Sequence, residues 1–261
     1  MMSVTTPSEM FDLTGLRAAV VGGTGVLGSR FAQCLALAGA YVAVLGRSAE
    51  RGNAVVGEII AQGGNAEFLP IEVTDRATID VATTALRNRG GVDILVNAPG
   101  VNSSAPFADL SDEEWDRLLE VNLTSVFRLC QAFAPLMYKR PNGASIINIS
   151  SASSGPPLSR VLGYGVAKAG VNNLTQYLAR ELANEGVRVN AILPGFFPAE
   201  QNRALLTDER VESIKGHTPL RRLGVPKELD GTLLWLASPR ASGFVTGALV
   251  KVDGGFSAMT I

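Results

Sequence analysis

Seven short aliphatic runs, each separated from the next by an amphipathic stretch, constrain this chain more than any other feature. They cover residues 18–21, 41–45, 66–71, 94–96, 145–149, 188–193 and 248–252. Each is continuous rather than alternating apolar with polar, the pattern of strands buried on both faces of a parallel sheet. Apolar residues recur at helical spacing near 27–38, 49–62, 76–88, 112–139, 162–185 and 226–237. Ser111, with Glu114 three residues on, predicts a capping box, and Pro226 suits a first helical position. Parallel strands joined by helices cross over right-handed. The expected fold is therefore one α/β domain over residues 1–261, a doubly wound seven-stranded parallel sheet with helices on both faces. Residues 1–10 carry no such pattern and are expected to form a flexible N-terminus. Residues 194–225 are the longest segment predicted without a strand or a regular helix.

Composition removes several classes of function. A formal net charge of −1 offers no basic footprint, so neither nucleic acid nor a membrane is an expected partner. The two cysteines, Cys34 and Cys130, fall in apolar helical patterns and read as small core residues. With His217 as the single histidine, no metal site is expected. Residues 1–12 hold no apolar stretch long enough for a signal peptide or a membrane span, so a cytoplasmic protein is expected. The stripe Trp115, Leu118, Leu119, Val126, Phe127, Cys130, Phe133 and Met137 reads as core packing.

The first predicted strand runs into Gly22-Gly23-Thr24-Gly25-Val26-Leu27-Gly28, which opens directly into a helix. Glycines there let backbone approach a pyrophosphate, and the free N–H groups of the helix start face the anion. The second strand ends in Gly46-Arg47-Ser48. An acidic residue at Gly46 would bind both ribose hydroxyls and repel a 2′-phosphate. Arg47 can instead pair with that phosphate, while Ser48 adds a hydroxyl and caps the next helix. NADP(H) is accordingly favoured, with NAD(H) as the alternative.

After the fifth run, Ser150-Ser151 leads to a predicted helix carrying Tyr164 and Lys168. Four residues apart, the two side chains share one helix face, which brings an ammonium beside a phenol. A free phenol titrates near ~10, so work near neutrality needs about 4 kcal/mol of help. The lysine and an oxidised nicotinamide both favour phenolate. Tyr164 then fits a general acid and base, with Ser151 holding the same substrate oxygen.

In their order along the chain, Gly22–Gly28, Asn97-Ala98-Pro99-Gly100, Asn122, Ser151, Tyr164-Gly165-Val166-Ala167-Lys168, Pro194-Gly195 and Val252-Asp253-Gly254-Gly255 resemble the short-chain dehydrogenase/reductase family. The resemblance spans residues 11–257 and implies a Rossmann fold. It also implies an NAD(P)-dependent oxidoreductase acting on CH–OH groups. It implies that Tyr164 is the acid/base, that Lys168 binds the nicotinamide ribose and that Ser151 polarises the substrate. Asn122 would bend its helix and hold a water in a relay to Lys168. Gly22, Thr24, Gly25, Val26, Leu27, Gly28, Gly46, Arg47, Ser48, Glu72, Val73, Asn97, Ala98, Gly100, Pro194, Gly195 and Phe197 would surround the cofactor. Departures stand at Val21, Val26, Glu72, Pro99 and Ala199, where the family more often has Thr, Gly, Asp, a residue with an N–H, and Thr. A homodimer or homotetramer is implied in the same way.

Within the family the chain is most similar to a sugar-acid branch, the D-mannonate oxidoreductase (fructuronate reductase) or gluconate 5-dehydrogenase-like proteins. The stretch 194–206, His217-Thr218-Pro219 and residues 254–258 carry that likeness. Residues 194–225 then lie at the carboxyl edge of the sheet as a substrate lid. Asn102, Ser153, Arg160, Gln201, Asn202 and Arg203 are the expected substrate contacts, suited to a polyhydroxylated carboxylate. Alternatives are a 3-oxoacyl-carrier-protein reductase, a broad carbonyl reductase, or a catalytically silent dinucleotide sensor.

Overall fold

The computed structural model describes residues 6–198 and 207–259. Seven parallel strands form one sheet: β1 (Arg17–Val21), β2 (Tyr41–Gly46), β3 (Asn65–Pro70), β4 (Ile94–Asn97), β5 (Ala144–Ile149), β6 (Val187–Pro194) and β7 (Leu249–Val252). Their order across the sheet is β3-β2-β1-β4-β5-β6-β7. The chain winds outward from β1 on one side and returns to β4 on the other, so β1 and β4 flank the switch point where open α/β sheets bind ligands. The central strands β1, β4, β5 and β6 are buried almost throughout, as continuous runs require. The outer strands differ from that expectation. β3 and β7 close the sheet edges, each with a neighbouring strand on one side, and are only half-buried.

Helices cover both faces: α1 (Pro7–Met10), α2 (Val26–Leu37), α3 (Ala49–Ala61), α4 (Arg76–Asn88), α5 (Asp112–Leu119), α6 (Ser125–Phe133), α7 (Leu162–Leu182), α8 (Asp208–His217), α9 (Asp230–Ala237) and α10 (Pro239–Ser242). One apolar cluster packs α4, α6 and α7 on one face, and another packs α2, α3 and α9 on the opposite face. Both thiols lie inside these clusters, and burial pushes Cys34 and Cys130 up to about 12, as inert core residues.

Four expectations are corrected. Residues 6–10 are not loose: Thr6 and Glu9 form a capping box, and Ser238 and Arg240 donate to the carbonyls of Met10 and Glu9. Residues 1–5 of that expectation lie outside the described residues. The capping box at Ser111 is only half formed, because Glu114 turns its carboxylate to Arg117 instead of the Ser111 N–H. The helix expected over 112–139 is interrupted by a π-helical turn at Glu120–Thr124, and Phe127 on α6 stays 45% exposed rather than joining the core. Finally, residues 194–225 contain a regular helix, α8. Its apolar periodicity is weak, but Thr207 followed by Asp208 and Glu209 marks its capped start. Among the described residues no helix is long and apolar enough to cross a membrane.

Candidate active site

At the carboxyl ends of the strands lies one cavity of about 700 Å³. It extends from Gly22–Gly28 and Gly46 to Ser151, Tyr164 and Lys168. Gly22 turns with φ +78°, and a Cβ there would stand 2.6 Å from the Ala98 carbonyl oxygen. At Gly28, the first turn of α2, a Cβ would meet the Gly22 oxygen at 2.1 Å. Both clashes are with backbone, which cannot step aside, so the turn depends on bare glycine. Gly25 is the N-cap of α2 and no side chain caps that terminus, which leaves its N–H groups to the cavity. This backbone cradle suits the pyrophosphate of a dinucleotide.

The end of β2 is shaped by Thr24. A Cβ on Gly46 would lie 2.6 Å from the Thr24 hydroxyl, so the position that could carry an acidic side chain is filled from across the turn. Arg47 beside it is 77% exposed and faces the Glu72 carboxylate at 3.8 Å. A pair so open to water holds its partners weakly, so the guanidinium can turn to a phosphate. Glu72 also accepts from the Thr74 backbone and hydroxyl. Ser48 caps α3 through the Arg51 N–H and does not line the cavity.

Tyr164 and Lys168 lie one turn apart on α7, with the ammonium 5.6 Å from the phenol ring centre. Lys168 is buried and donates to the carbonyls of Ile149, at 2.9 Å, and Pro99, at 3.4 Å. Pro99 thus serves through its oxygen, the one polar group a proline keeps. Burial without a carboxylate lowers Lys168 to about 8. Burial likewise raises the Tyr164 phenol above its ordinary value, and the Ser151 hydroxyl only partly offsets this. Against this burial, the Lys168 ammonium and an oxidised nicotinamide both favour the phenolate. Ser151 follows β5 in extended backbone, and its hydroxyl shares a 2.8 Å hydrogen bond with Ser153.

Asn122 and Asn97 stand behind the wall rather than in it. Asn122 sits in the π-helical turn, where its amide donates to Leu118 and Val101 carbonyls and its oxygen accepts from the Val101 N–H. The side chain therefore ties the widened helix to the loop after β4. Asn97 donates to Asn148 across β4 and β5 and to Cys130 below.

Against known proteins, a short-chain dehydrogenase/reductase model described as Enoyl-(Acyl carrier protein) reductase matches residues 24–257. The chain belongs to the short-chain dehydrogenase/reductase family. It is accordingly an oxidoreductase acting on CH–OH groups. Relatives within this family include the protein named Uncharacterized oxidoreductase UxuB of Bacillus subtilis, 40% identical over 95% of this chain and 96% of its own. Gluconate 5-dehydrogenase of Gluconobacter oxydans is 36% identical, over 95% of this chain and 97% of its own. Among solved structures, a gluconate 5-dehydrogenase from Burkholderia cenocepacia in complex with NADP and tartrate superposes with a TM-score of 0.93. It is 32% identical and covers 98% of this chain and 100% of that one.

The substrate end of this dehydrogenase/reductase cavity is less like its expected form. Asn102 and Ser153 line it, but Arg160 does not: it lies exposed on the loop before α7, at φ +65°. Gln201, Asn202 and Arg203, with Ala199, lie outside the described residues. Among the described residues the guanidiniums that line this end are Arg117 of α5 and Arg210 of α8, together with Leu158, Val161 and Phe196. Sequence reasoning singled out neither: Arg117 is one polar position among several on α5, and α8 carries too few apolar residues to mark a helix. His217 closes α8 with its ring edge-to-face on Phe256, 4.7 Å away, and Phe256 in turn meets Phe196.

Proposed function

We propose that this protein is an NADP(H)-favouring dehydrogenase/reductase that interconverts a secondary alcohol and a ketone on a sugar acid or polyol. The observation that carries the reading is the continuity of one cavity from the glycine turn and Arg47 to Ser151, Tyr164 and Lys168. The name of the Burkholderia relative, with NADP and tartrate, supports both halves of it.

Bound with its pyrophosphate on Gly22–Gly28, the nicotinamide dinucleotide supplies the hydride donor or acceptor and, when oxidised, a positive charge. In reduction Tyr164 gives its proton to the carbonyl oxygen, and in oxidation it takes the hydroxyl proton back. Ser151 donates to that oxygen and fixes the carbonyl for attack. Lys168, held by the Ile149 and Pro99 carbonyls, keeps an ammonium beside the phenol and binds the ribose. Asn122 holds the π-helical turn and the loop after β4 in register with that lysine. Of the segment expected as the lid, Phe196, Phe197 and Arg210 line the cavity and cover its substrate end. An assembly of two or four copies in the cytoplasm completes the reading, supported by Leu162, Val166 and Tyr177, which lie exposed along one face of α7.

A panel of keto sugar acids, ketoses and acyl thioesters, followed by NADPH and NADH absorbance, tests the proposal. Reduction of keto sugar acids or ketoses with NADPH is expected. Turnover of acyl thioesters alone would refute it.

A further inference from the structure

We infer that Arg210 is the carboxylate-recognition residue of the substrate end, so that this enzyme selects keto sugar acids over the matching neutral ketoses. The inference rests on the sugar-acid reading above and narrows it to one side chain. Among the described residues five cations line the cavity: Arg47, Arg51, Arg117, Lys168 and Arg210. Arg47 follows Gly46 at the end of β2, Arg51 lies in the first turn of α3, and Lys168 is buried against two carbonyls. Among the described residues, a substrate carboxylate is left with Arg117 or Arg210.

Their bonding separates them. Arg117 grips both Glu114 oxygens, at 2.6 and 2.7 Å, and sends a third bond to the Asn102 carbonyl. Its charge is already answered. Arg210 donates to the Ser159 carbonyl at 3.0 Å and the Ser159 hydroxyl at 3.5 Å, and among the described residues it has no ion-pair partner. Two neutral oxygens use two of the five N–H donors of a guanidinium and none of its charge. They hold the side chain over the cavity while leaving N–H groups for a planar, bidentate acid. Because Ser159 fixes the fork in advance, little rotamer freedom remains to be lost on binding. The planar fork also explains why arginine rather than lysine suits this place.

The test compares 5-keto-D-gluconate with L-sorbose, which bears a hydroxymethyl group in place of the carboxylate. Wild type should prefer the acid in kcat/KM. Arg210→Ala should cut that preference by about 30-fold, through KM for the acid, the scale of one charge-assisted bidentate pair. Arg210→Lys should recover part of it, and Arg160→Ala should leave the preference within about twofold of wild type. Equal losses on both substrates would make Arg210 a latch for the Ser159 loop and overturn the inference, with the enzyme's sugar-acid reading intact. A wild type with no preference for the acid would overturn it too. Failure of both substrates beside turnover of acyl thioesters would instead bring down the broader proposal.

Discussion

At one end of the cavity the wall is backbone: the Gly22–Gly28 turn, the uncapped start of α2 and the carbonyls after β4. At the other end it is side chains, brought from α5, the loop before α7 and α8. The first end meets parts common to every nicotinamide dinucleotide, so it can be rigid and made from a short local segment. The second must recognise one substrate, and it is assembled from residues far apart in the chain. Rigidity and local encoding go together, and so do specificity and dispersal.

Several variants can break or sharpen this contrast. The largest effect is expected at the backbone end. Gly28→Ala sets a Cβ against the Gly22 oxygen and should weaken NADPH binding by about 100-fold, roughly 3 kcal/mol, in a fluorescence titration. Binding within twofold of wild type would show that the turn yields and is not rigid.

The stored cost lies between the two ends, at Lys168. Its fall from 10.5 to about 8 corresponds to about 3 kcal/mol of penalty for burying the charge. Between those values the unfolded chain binds more protons than the folded one, so stability rises with pH through that window. The penalty is fully present below about pH 8 and gone above 10.5. Lys168→Met should therefore raise the Tm of the cofactor-free protein at pH 7, with the gain shrinking toward pH 10.5. A variant less stable than wild type at pH 7 would contradict this.

A smaller effect is expected where the backbone end first uses a side chain. Arg47→Ala should raise KM for NADPH by about 10-fold and leave NADH within about twofold. Equal changes for the two cofactors would remove the 2′-phosphate role.

The sheet and the cradle were legible because their signals are local. Buried parallel strands must be continuous apolar runs, and a backbone-lined turn must be glycine. The phenol–ammonium pair was legible for the same reason, being one helical turn. The break in the helix at Asn122 was implied by the family resemblance alone and not by periodicity, because the π-helical turn depends on Asn122 bonding to Val101 in a loop that sequence does not place beside it. Arg160 was expected in the site and lies outside it, while Arg210, which no sequence signal marked, lines it. Their positions depend on a left-handed loop residue and on a helix with few apolar residues, Val211 and Ile214, to mark it. Glu114 likewise pairs with Arg117 rather than with its expected cap, since a charged partner outcompetes a neutral N–H.

The account stands most directly on Tyr164 as the proton donor. Steady-state turnover of Tyr164→Phe, measured beside its NADPH dissociation constant, tests that claim. A fall in kcat of about 1,000-fold with cofactor affinity within twofold of wild type is the predicted result. Undiminished turnover would place the proton elsewhere and contradict the account.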